Sequence, residues 1–202
     1  MKPNPSNEIR DRILAEILPN VVFDGWSWDG AEQAALAAGY DRKMAAAVFP
    51  DGLPGVVGHF FDWADRQMMD ILKDEELDGI RIRDRIQLGV ITWIDVMEPW
   101  KEALRRALTY WAVPPRHLQA ARLIWRTADV IWVWAGDTAT DYNHYTKRGL
   151  LSGVIGATVL AWLNDETGAL DRTEAFLDRR IDNVMKLGQA LGRAKKTAKQ
   201  SA

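Results

Sequence analysis

The chain has 202 residues with 28 acidic and 26 basic side chains, and its formal net charge is −2. A general nucleic-acid binder usually carries a basic excess, so this balance counts against that class. There is no cysteine, which excludes disulfides, thiol catalysis and cysteine-based zinc sites. Ten tryptophans are unusually many. They are typical either of a large apolar core or of surfaces that face water on one side and an apolar phase on the other.

The first ten residues lack the apolar segment of a secretory signal peptide. The charge-free apolar run Gly149–Leu163 has 15 residues, fewer than the roughly 18–20 that a membrane-spanning helix needs. We therefore expect a cytoplasmic protein, peripheral at most on the inner face of the cytoplasmic membrane. The stretch from Lys186 onward is basic and lacks acidic residues. It is typical either of a solvated chain end or of a weak tether to an anionic membrane.

Proline and glycine residues separate segments with helical periodicity, and no segment shows the sustained two-residue alternation of a strand. The pattern predicts an all-α fold of about nine helices. Pro19 is expected to limit the first helix, Gly39 to close the second with a left-handed cap, and Gly136 to end the seventh. The expected helices lie at residues 7–22, 31–38, 42–48, 80–97, 100–111 and 116–135. One more runs from just after residue 138 to residue 163, and two others begin near residues 54 and 171.

Three short helical segments before residue 50 resemble the helix-turn-helix domain of TetR-type regulators. Asp29 and Glu32 have capping-box spacing at the start of the second segment. A regulator would place Arg42–Val48 in a DNA major groove, and a ligand-responsive transcriptional regulator is the alternative function. However, residues 1–50 carry five basic and seven acidic side chains. We therefore expect no nucleic-acid binding, and we expect the three helical segments to serve the packing of the fold.

Helix seven carries large and small residues alternately along one seam, where Trp125 and Trp132 are separated by Ala128. Rings separated by alanine can leave a slot between helices, and twenty helical residues span ~30 Å, enough for a good part of an isoprenoid chain. A coiled-coil partner is the other explanation of this spacing. The expected lining residues come from this seam, from helix five and from helix eight: Trp93, Met97, Leu118, Trp125, Trp132, Leu150 and Val154.

Small residues recur every four positions in helix eight, at Gly149, Gly153, Ala157 and Ala161. Such a stripe lets another backbone approach closely, and in membranes it is a dimer motif. Because the apolar run is too short to span a bilayer, we expect tight packing inside the fold or across a homodimer.

No catalytic or metal-binding constellation is expected. The motifs HExxH, GxSxG, GxGxxG and the P-loop are absent, as are the Glu-x-x-His pairs of di-iron bundles. Asp141, His144 and Ser152 are the residue types of a triad, but Ser152 lies about 12 Å along the helix from His144. His59 and Asp62 are spaced to share a metal, yet nothing completes a ligand set. We expect a protein that is not an enzyme and holds no cofactor.

Four segments carry a combined pattern that runs through nearly the whole chain. Residues 136–168 read GDTATDYNHYTKRGLLSGVIGATVLAWLNDETG. The others read GWSWDGAEQAALAAGY, IRIRDRIQLGVITWI followed by EPWKEALRRAL, and FLDRRIDNVMKLGQALG. Taken together in their order along the chain, these segments resemble the ubiquinone-biosynthesis accessory family, which comprises the ninth Coq protein and its bacterial relatives.

The resemblance implies a TetR-like all-α fold whose helix-turn-helix-like triplet packs on a ligand-binding helical bundle. It implies a non-enzymatic protein that binds isoprenoid quinone intermediates or other lipids and presents them to the di-iron hydroxylase acting on demethoxyubiquinone. The expected division is a vestigial helix-turn-helix-like segment at 1–50, a lipid-binding bundle at 51–190 and a basic flexible tail at 191–202. The family's partner-binding patch would fall on Asp141, Tyr142, Asn143, His144, Tyr145, Thr146, Lys147 and Arg148.

Two features depart from the mitochondrial members of that family. They have a tryptophan where this chain has His144. Since tryptophan is a typical interface anchor, the hydroxylase contact is expected to be weaker or differently built. The mitochondrial members also continue into a C-terminal amphipathic membrane helix, whereas this sequence has a basic stretch there, so we expect only transient membrane contact.

Overall fold

The computed structural model describes residues 5–138 and 142–200, with the side chains of residues 5, 142, 143 and 187–200 outside the description. These residues form nine α-helices, one 3-10 turn and no strand, so the predicted all-α class is confirmed. None of the described helices combines the length and apolar character that crossing a bilayer requires. The elements are α1 (Pro5–Asp24), α2 (Trp28–Ala37), α3 (Lys43–Val48), α4 (Leu53–Leu72), α5 (Ile82–Met97), the 3-10 turn (Glu98–Trp100), α6 (Lys101–Ala112), α7 (His117–Trp134), α8 (Tyr142–Leu163) and α9 (Asp171–Gln200).

Two local expectations about helix ends are wrong. Helix α1 continues to Asp24, five residues beyond Pro19. Pro19 removes a backbone donor, but it and Ala15 lie on the exposed side of the helix, where water can satisfy the freed carbonyl group. The cap of α2 is Ser27, whose Oγ accepts a hydrogen bond from the backbone N–H of Gly30 at 3.0 Å, so the capping box from Asp29 does not form.

The contacts divide the chain into two units. The first contains the described residues up to Glu75 together with Thr92–Leu123, and the second contains Glu76–Ile91 and the described residues from Ile124 onward. Helices α5 and α7 therefore contribute to both units. The functional domains predicted with boundaries at residues 50 and 190 are not the same as these two structural units, and they stay a prediction.

Aromatic side chains fill the interior of the first unit. The Phe60 ring lies 5.4 Å from that of Trp26 and 5.8 Å from that of Phe61, and Phe61 stacks on Trp93 at 6.3 Å. The indole N–H groups inside this cluster have acceptors: Trp93 donates to Asp65 Oδ1 at 3.0 Å, and Trp26 donates to a backbone carbonyl at 3.0 Å. Two of the ten tryptophans are thus explained by this aromatic cluster.

Helices α8 and α9 pack together in the second unit. Helix α7 ends in a turn at Gly136, whose φ of 95° favours glycine. Arg85 holds this corner, because it donates to the backbone carbonyls of Ala135, Leu77 and Ile80 at 3.0, 2.7 and 2.9 Å. Gly136 therefore ends α7 as predicted. The capping pair expected from Thr138 and Asp141 falls outside the description, because Asp141 does.

Candidate functional site

The second unit contains an apolar pocket with a volume of about 240 Å³. Four helices of this unit supply its wall, and nine of the eleven lining side chains are apolar. The lining residues are Ile82, Arg83 and Ile86 of α5, Trp132 of α7, Lys147, Leu150, Leu151 and Val154 of α8, and Ile181, Val184 and Met185 of α9.

Helical spacing explains why these side chains converge. Leu150 and Val154 are four residues apart on α8, and Ile181 and Met185 are four apart on α9, so each pair lies on one face of its helix. Ile82 and Met185 are 43% and 45% exposed, whereas Val154 is buried. The pocket therefore has an apolar floor and an apolar, solvent-facing rim.

Lys147 is the polar element beside Trp132. Its Nζ lies 2.6 Å from Asp137 Oδ1 and 5.3 Å from the centroid of the Trp132 ring. The Trp132 indole N–H donates to the backbone carbonyl of Lys147 at 3.1 Å. These contacts fix the ring and the start of α8 together at the pocket wall.

Three of the seven residues expected at a lipid site line this pocket: Trp132, Leu150 and Val154. Trp125 belongs to the same unit, but it contacts Tyr145 instead, with ring centroids 6.3 Å apart. The remaining three residues lie in the first unit, where Trp93 and Met97 are buried and Leu118 is exposed. This pocket therefore contains three of the seven residues expected at a lipid site, and the lipid site itself stays a prediction.

Sequence reasoning missed the residues that the first half of α5 contributes, and it missed α9 altogether. Ile82 and Ile86 are on the same periodic stripe as Trp93 and Met97, but the stripe passes from one unit to the other, and the pocket uses its first half. Ile181, Val184 and Met185 also follow helical spacing. Periodicity shows that such residues face inward, but it does not distinguish a filled interior from an open one.

We call residues 141–148 the collar. Asp141 and the side chains of Tyr142 and Asn143 lie outside the description. Tyr145 and Thr146 are exposed, and His144 is half-buried with its ring 5.1 Å from that of Tyr145. The described part of the collar that a partner can reach is therefore its middle, around Tyr145.

Arg148 is the buried end of the collar, with only 2% of its surface exposed. It donates from Nε to Asp129 at 2.5 Å and from Nη1 to Asp137 at 3.0 Å. Burial lowers the pKa of Arg148, but the two carboxylates raise it further, so its pKa lies above the usual value. Arg148 is positioned to hold the collar in place. Docking of a partner on the collar stays a prediction.

Ser152 and His59, which are residue types found in catalytic or metal sites, are hydrogen-bonded or paired within the fold. Ser152 Oγ donates to the carbonyl of Arg148 at 2.7 Å, and His59 Nε2 lies 2.7 Å from Asp11 Oδ1. Within the described ranges, no group of three or more histidine or carboxylate side chains could hold a metal ion.

The comparisons with known proteins bear on the second unit directly. A family model described as COQ9 matches residues 118–188, which include the collar and eight of the pocket residues. The ubiquinone biosynthesis protein COQ9, mitochondrial, of Xenopus tropicalis is 29% identical over 197 residues, which cover 91% of this chain and 60% of that protein. The proteins of the same name from Rattus norvegicus and Homo sapiens are 27% and 26% identical, and the matches cover 94% of this chain and 63% and 62% of theirs. The predicted resemblance to the COQ9 family is confirmed.

The chain spans about three fifths of the length of these COQ9 relatives. Their names place them in mitochondria. The expectation of a cytoplasmic location is therefore wrong, because the COQ9 relatives point to mitochondria instead. The family description and these names specify no catalysed reaction.

The fold resembles that of a TetR transcriptional regulator from Nitrosomonas europaea, with a TM-score of 0.69 at 16% identity over 88% of this chain and 98% of that one. The TetR-like fold is thus confirmed, and at this identity the likeness concerns the fold alone. At the α3 start, Arg42 Nη1 lies 3.6 Å from Glu32 Oε2 and 3.9 Å from Asp29 Oδ1. Acidic neighbours of this kind would oppose a DNA backbone.

Proposed function

We propose that this chain is a non-enzymatic accessory protein of ubiquinone biosynthesis. It binds the apolar part of an isoprenoid quinone intermediate in the pocket of its second unit and presents that lipid to the di-iron demethoxyubiquinone hydroxylase. The observation that carries the proposal is the coincidence of the COQ9 match, residues 118–188, with helices that enclose an apolar pocket.

The size of the pocket supports binding of part of a lipid. A dry apolar cavity of about 150 Å³ holds a benzene molecule, so a volume of about 240 Å³ suits one ring or a short prenyl segment. A long polyprenyl chain needs more space than that. The rest of the chain would leave past the exposed rim at Ile82 and Met185 and stay in a bilayer or in the partner.

The collar supports the presentation step because it shares Lys147 with the pocket. A partner that contacts Tyr145 and Thr146 would lie within one helical turn of the pocket wall. Tyrosine is a frequent interface anchor, and Tyr145 is 62% exposed. Transient membrane contact and a homodimer are further parts of the same proposal.

The lipid step is tested by filling the pocket. Leu150→Trp adds volume inside the lining, whereas the matched Leu160→Trp changes an exposed position of the same helix. Protein purified from a host that makes ubiquinone should carry isoprenoid quinones, detected by mass spectrometry of extracted lipid. We expect Leu150→Trp to lower that content at least about tenfold, since overpacking leaves no room for ligand. Wild-type protein without isoprenoid would refute the proposal.

The docking step needs its own variant. Tyr145→Ala should reduce co-purification of the hydroxylase while the lipid content stays at the wild-type level. The matched Val133→Ala change, at another exposed apolar position of this unit, should affect neither measurement. Equal hydroxylase recovery with Tyr145→Ala and wild type would remove the collar from the proposal and leave the lipid step standing.

A further inference from the structure

Lys147 belongs to the pocket and to the collar, and its side chain meets three surroundings. It lines the pocket, whose surface is almost entirely apolar, so its methylene stem faces the open space rather than its ammonium group. The ammonium group is held by Asp137, with 2.6 Å between Nζ and Oδ1. The side chain as a whole is nevertheless 39% exposed. Lys147 is therefore a piece of the pocket wall that a partner can reach from solvent.

The ion pair of Lys147 can be given up without leaving a buried charge alone. The side chain of Asp137 is only 4% exposed, and it has a second cation, because Arg148 Nη1 donates to its Oδ2 at 3.0 Å. Breaking a buried pair is costly mainly when the remaining charge is uncompensated. Without Lys147, Asp137 keeps Arg148. The excess negative charge then falls on Asp129, the other partner of Arg148, which is 43% exposed and can be solvated.

The residues around Lys147 indicate what kind of surface could take it. Residues 144–148 include a lysine and an arginine but no carboxylate. Because Arg148 is buried, Lys147 is the cation of this pair that a partner can contact. Tyr145, two positions earlier, is 62% exposed. A complementary surface therefore offers a carboxylate beside an apolar socket for a tyrosine ring.

We propose that Lys147 exchanges one carboxylate for another when the hydroxylase docks on the collar. It leaves Asp137, pairs with a carboxylate of the hydroxylase next to Tyr145, and thereby opens the pocket wall toward the partner. This inference rests on the proposed function and gives the partner a chemical requirement.

The exchange opens the wall at one side chain and leaves its neighbour in place. The Trp132 ring loses the ammonium group that lies 5.3 Å from its centroid. It keeps the hydrogen bond from its indole N–H to the Lys147 carbonyl, 3.1 Å, because that carbonyl belongs to the backbone of α8. Docking thus changes the wall that retains the lipid, so docking and lipid release are coupled.

The first measurement is the affinity of the full chain for the di-iron hydroxylase of the same organism, by calorimetry at several salt concentrations. Lys147→Met keeps an unbranched apolar stem and removes the cation. We expect docking to weaken about tenfold and to become less sensitive to salt, since salt screens a charge pair across an interface. The matched Lys186→Met change removes an exposed cation of α9 outside the pocket lining and the collar, and it should alter the affinity less than about twofold.

Asp137→Asn gives the exchange a signature of opposite sign. It removes the carboxylate that holds Lys147 in the free chain, and its amide oxygen can still accept from Arg148. We expect docking to tighten about threefold, because the ammonium group is free before the hydroxylase arrives. A residue that only supports the fold would weaken docking when changed. This variant also keeps the proposal testable if Lys147→Met fails to fold, which circular dichroism would reveal.

The second measurement is the release of a lipid probe. Geranyl-1,4-benzoquinone is loaded into the full chain, and its release into phosphatidylcholine vesicles is followed by the recovery of the tryptophan fluorescence that the quinone quenches. A saturating amount of hydroxylase should speed release from wild type at least about fivefold, the lower end of typical coupling between sites. Release from Lys147→Met should be the same with and without saturating hydroxylase.

The outcomes separate the exchange from the proposed function. If wild type binds neither the hydroxylase nor the quinone probe, the proposed function fails and the exchange fails with it. If both bind but Lys147→Met docks as tightly as wild type, the proposed function stands and the exchange is overturned. Weaker docking of Asp137→Asn, or release from wild type that the hydroxylase does not speed, would also overturn the exchange.

Discussion

Phe60 and Trp132 show how differently the two units use aromatic side chains. Phe60 is fully buried in the first unit, with the rings of Trp26, Phe61 and Trp63 within 6.2 Å of its own. Trp132 is only half-buried in the second unit, where one side of it faces an apolar cavity. The first unit fills its interior with rings, whereas the second leaves a space whose wall includes the ion-paired Arg83 and Lys147. Arg148 lies outside that wall and shares Asp137 with Lys147.

This contrast indicates where the two units obtain their stability. Close-packed rings contribute through buried apolar area and ring geometry. An open cavity gives up part of that contribution, because its lining atoms lack partners on one side. In the second unit, we expect the paired charges to hold the wall of the open space in position. Each half of this contrast can be tested separately.

The largest expected effect comes from removing a buried aromatic ring from the first unit. Phe60→Ala removes a fully buried ring, and such changes typically cost about 3–5 kcal/mol of unfolding free energy. Urea denaturation followed by circular dichroism measures it. Phe23→Ala, at a side chain that is 81% exposed, is the control and should change stability little. If the new cavity cost under about 1 kcal/mol, the first unit would not be tightly packed.

The charged half of the contrast is tested with Arg148→Met. Breaking a buried ion pair usually costs about 3–5 kcal/mol. We expect roughly 2–3 kcal/mol here, since Asp129 is partly exposed and Asp137 keeps Lys147 as a partner. The same denaturation measurement applies, and Arg12→Ala, which removes an exposed pair with Glu8, should have little effect. A stability equal to wild type would show that the ion pairs do not hold the second unit's wall.

Sequence patterns predicted the class of fold, because helical periodicity and Gly or Pro boundaries are local features. They also placed Trp132, Leu150 and Val154 at a possible pocket. They could not separate these from Trp93 and Met97, since a residue facing a filled core and one facing a cavity have the same spacing. The burial of Arg148 could not be predicted from local sequence patterns either, because its partners Asp129 and Asp137 are 19 and 11 residues away in sequence.

In the first unit, His59 lies beside Asp11, Asp62 and Arg66, and this group should make stability depend on pH. Burial holds the pKa of His59 below its usual value of 6.5, although Asp11 and Asp62 favour the charged form and Arg66 opposes it. The unfolded chain therefore takes up this proton first, so unfolding free energy should fall as pH drops below about 6.5. Each pH unit by which the pKa is lowered corresponds to about 1.4 kcal/mol.

Denaturation midpoints between pH 7.5 and 5.0, roughly the range in which histidine titrates, measure this effect. Asp11 stays ionised there, because Arg66 and His59 outweigh its burial and hold its pKa below 3.8. His59→Gln should flatten the slope. A slope that survives in His59→Gln would assign the dependence to another group.

The smallest expected effect concerns the glycine stripe of α8. A Cβ added at Gly153 would meet nothing within 4 Å, so Gly153→Ala should gain roughly 0.5–1 kcal/mol from helix propensity. Gly89→Ala is the matched change with the opposite sign, since its Cβ would lie 2.9 Å from Ile131 Cγ2. Sedimentation of Gly153→Ala tests the predicted homodimer at the same time. If a second copy packs on this stripe, the added methyl group weakens self-association even as it favours the helix, and unchanged association places any dimer contact elsewhere.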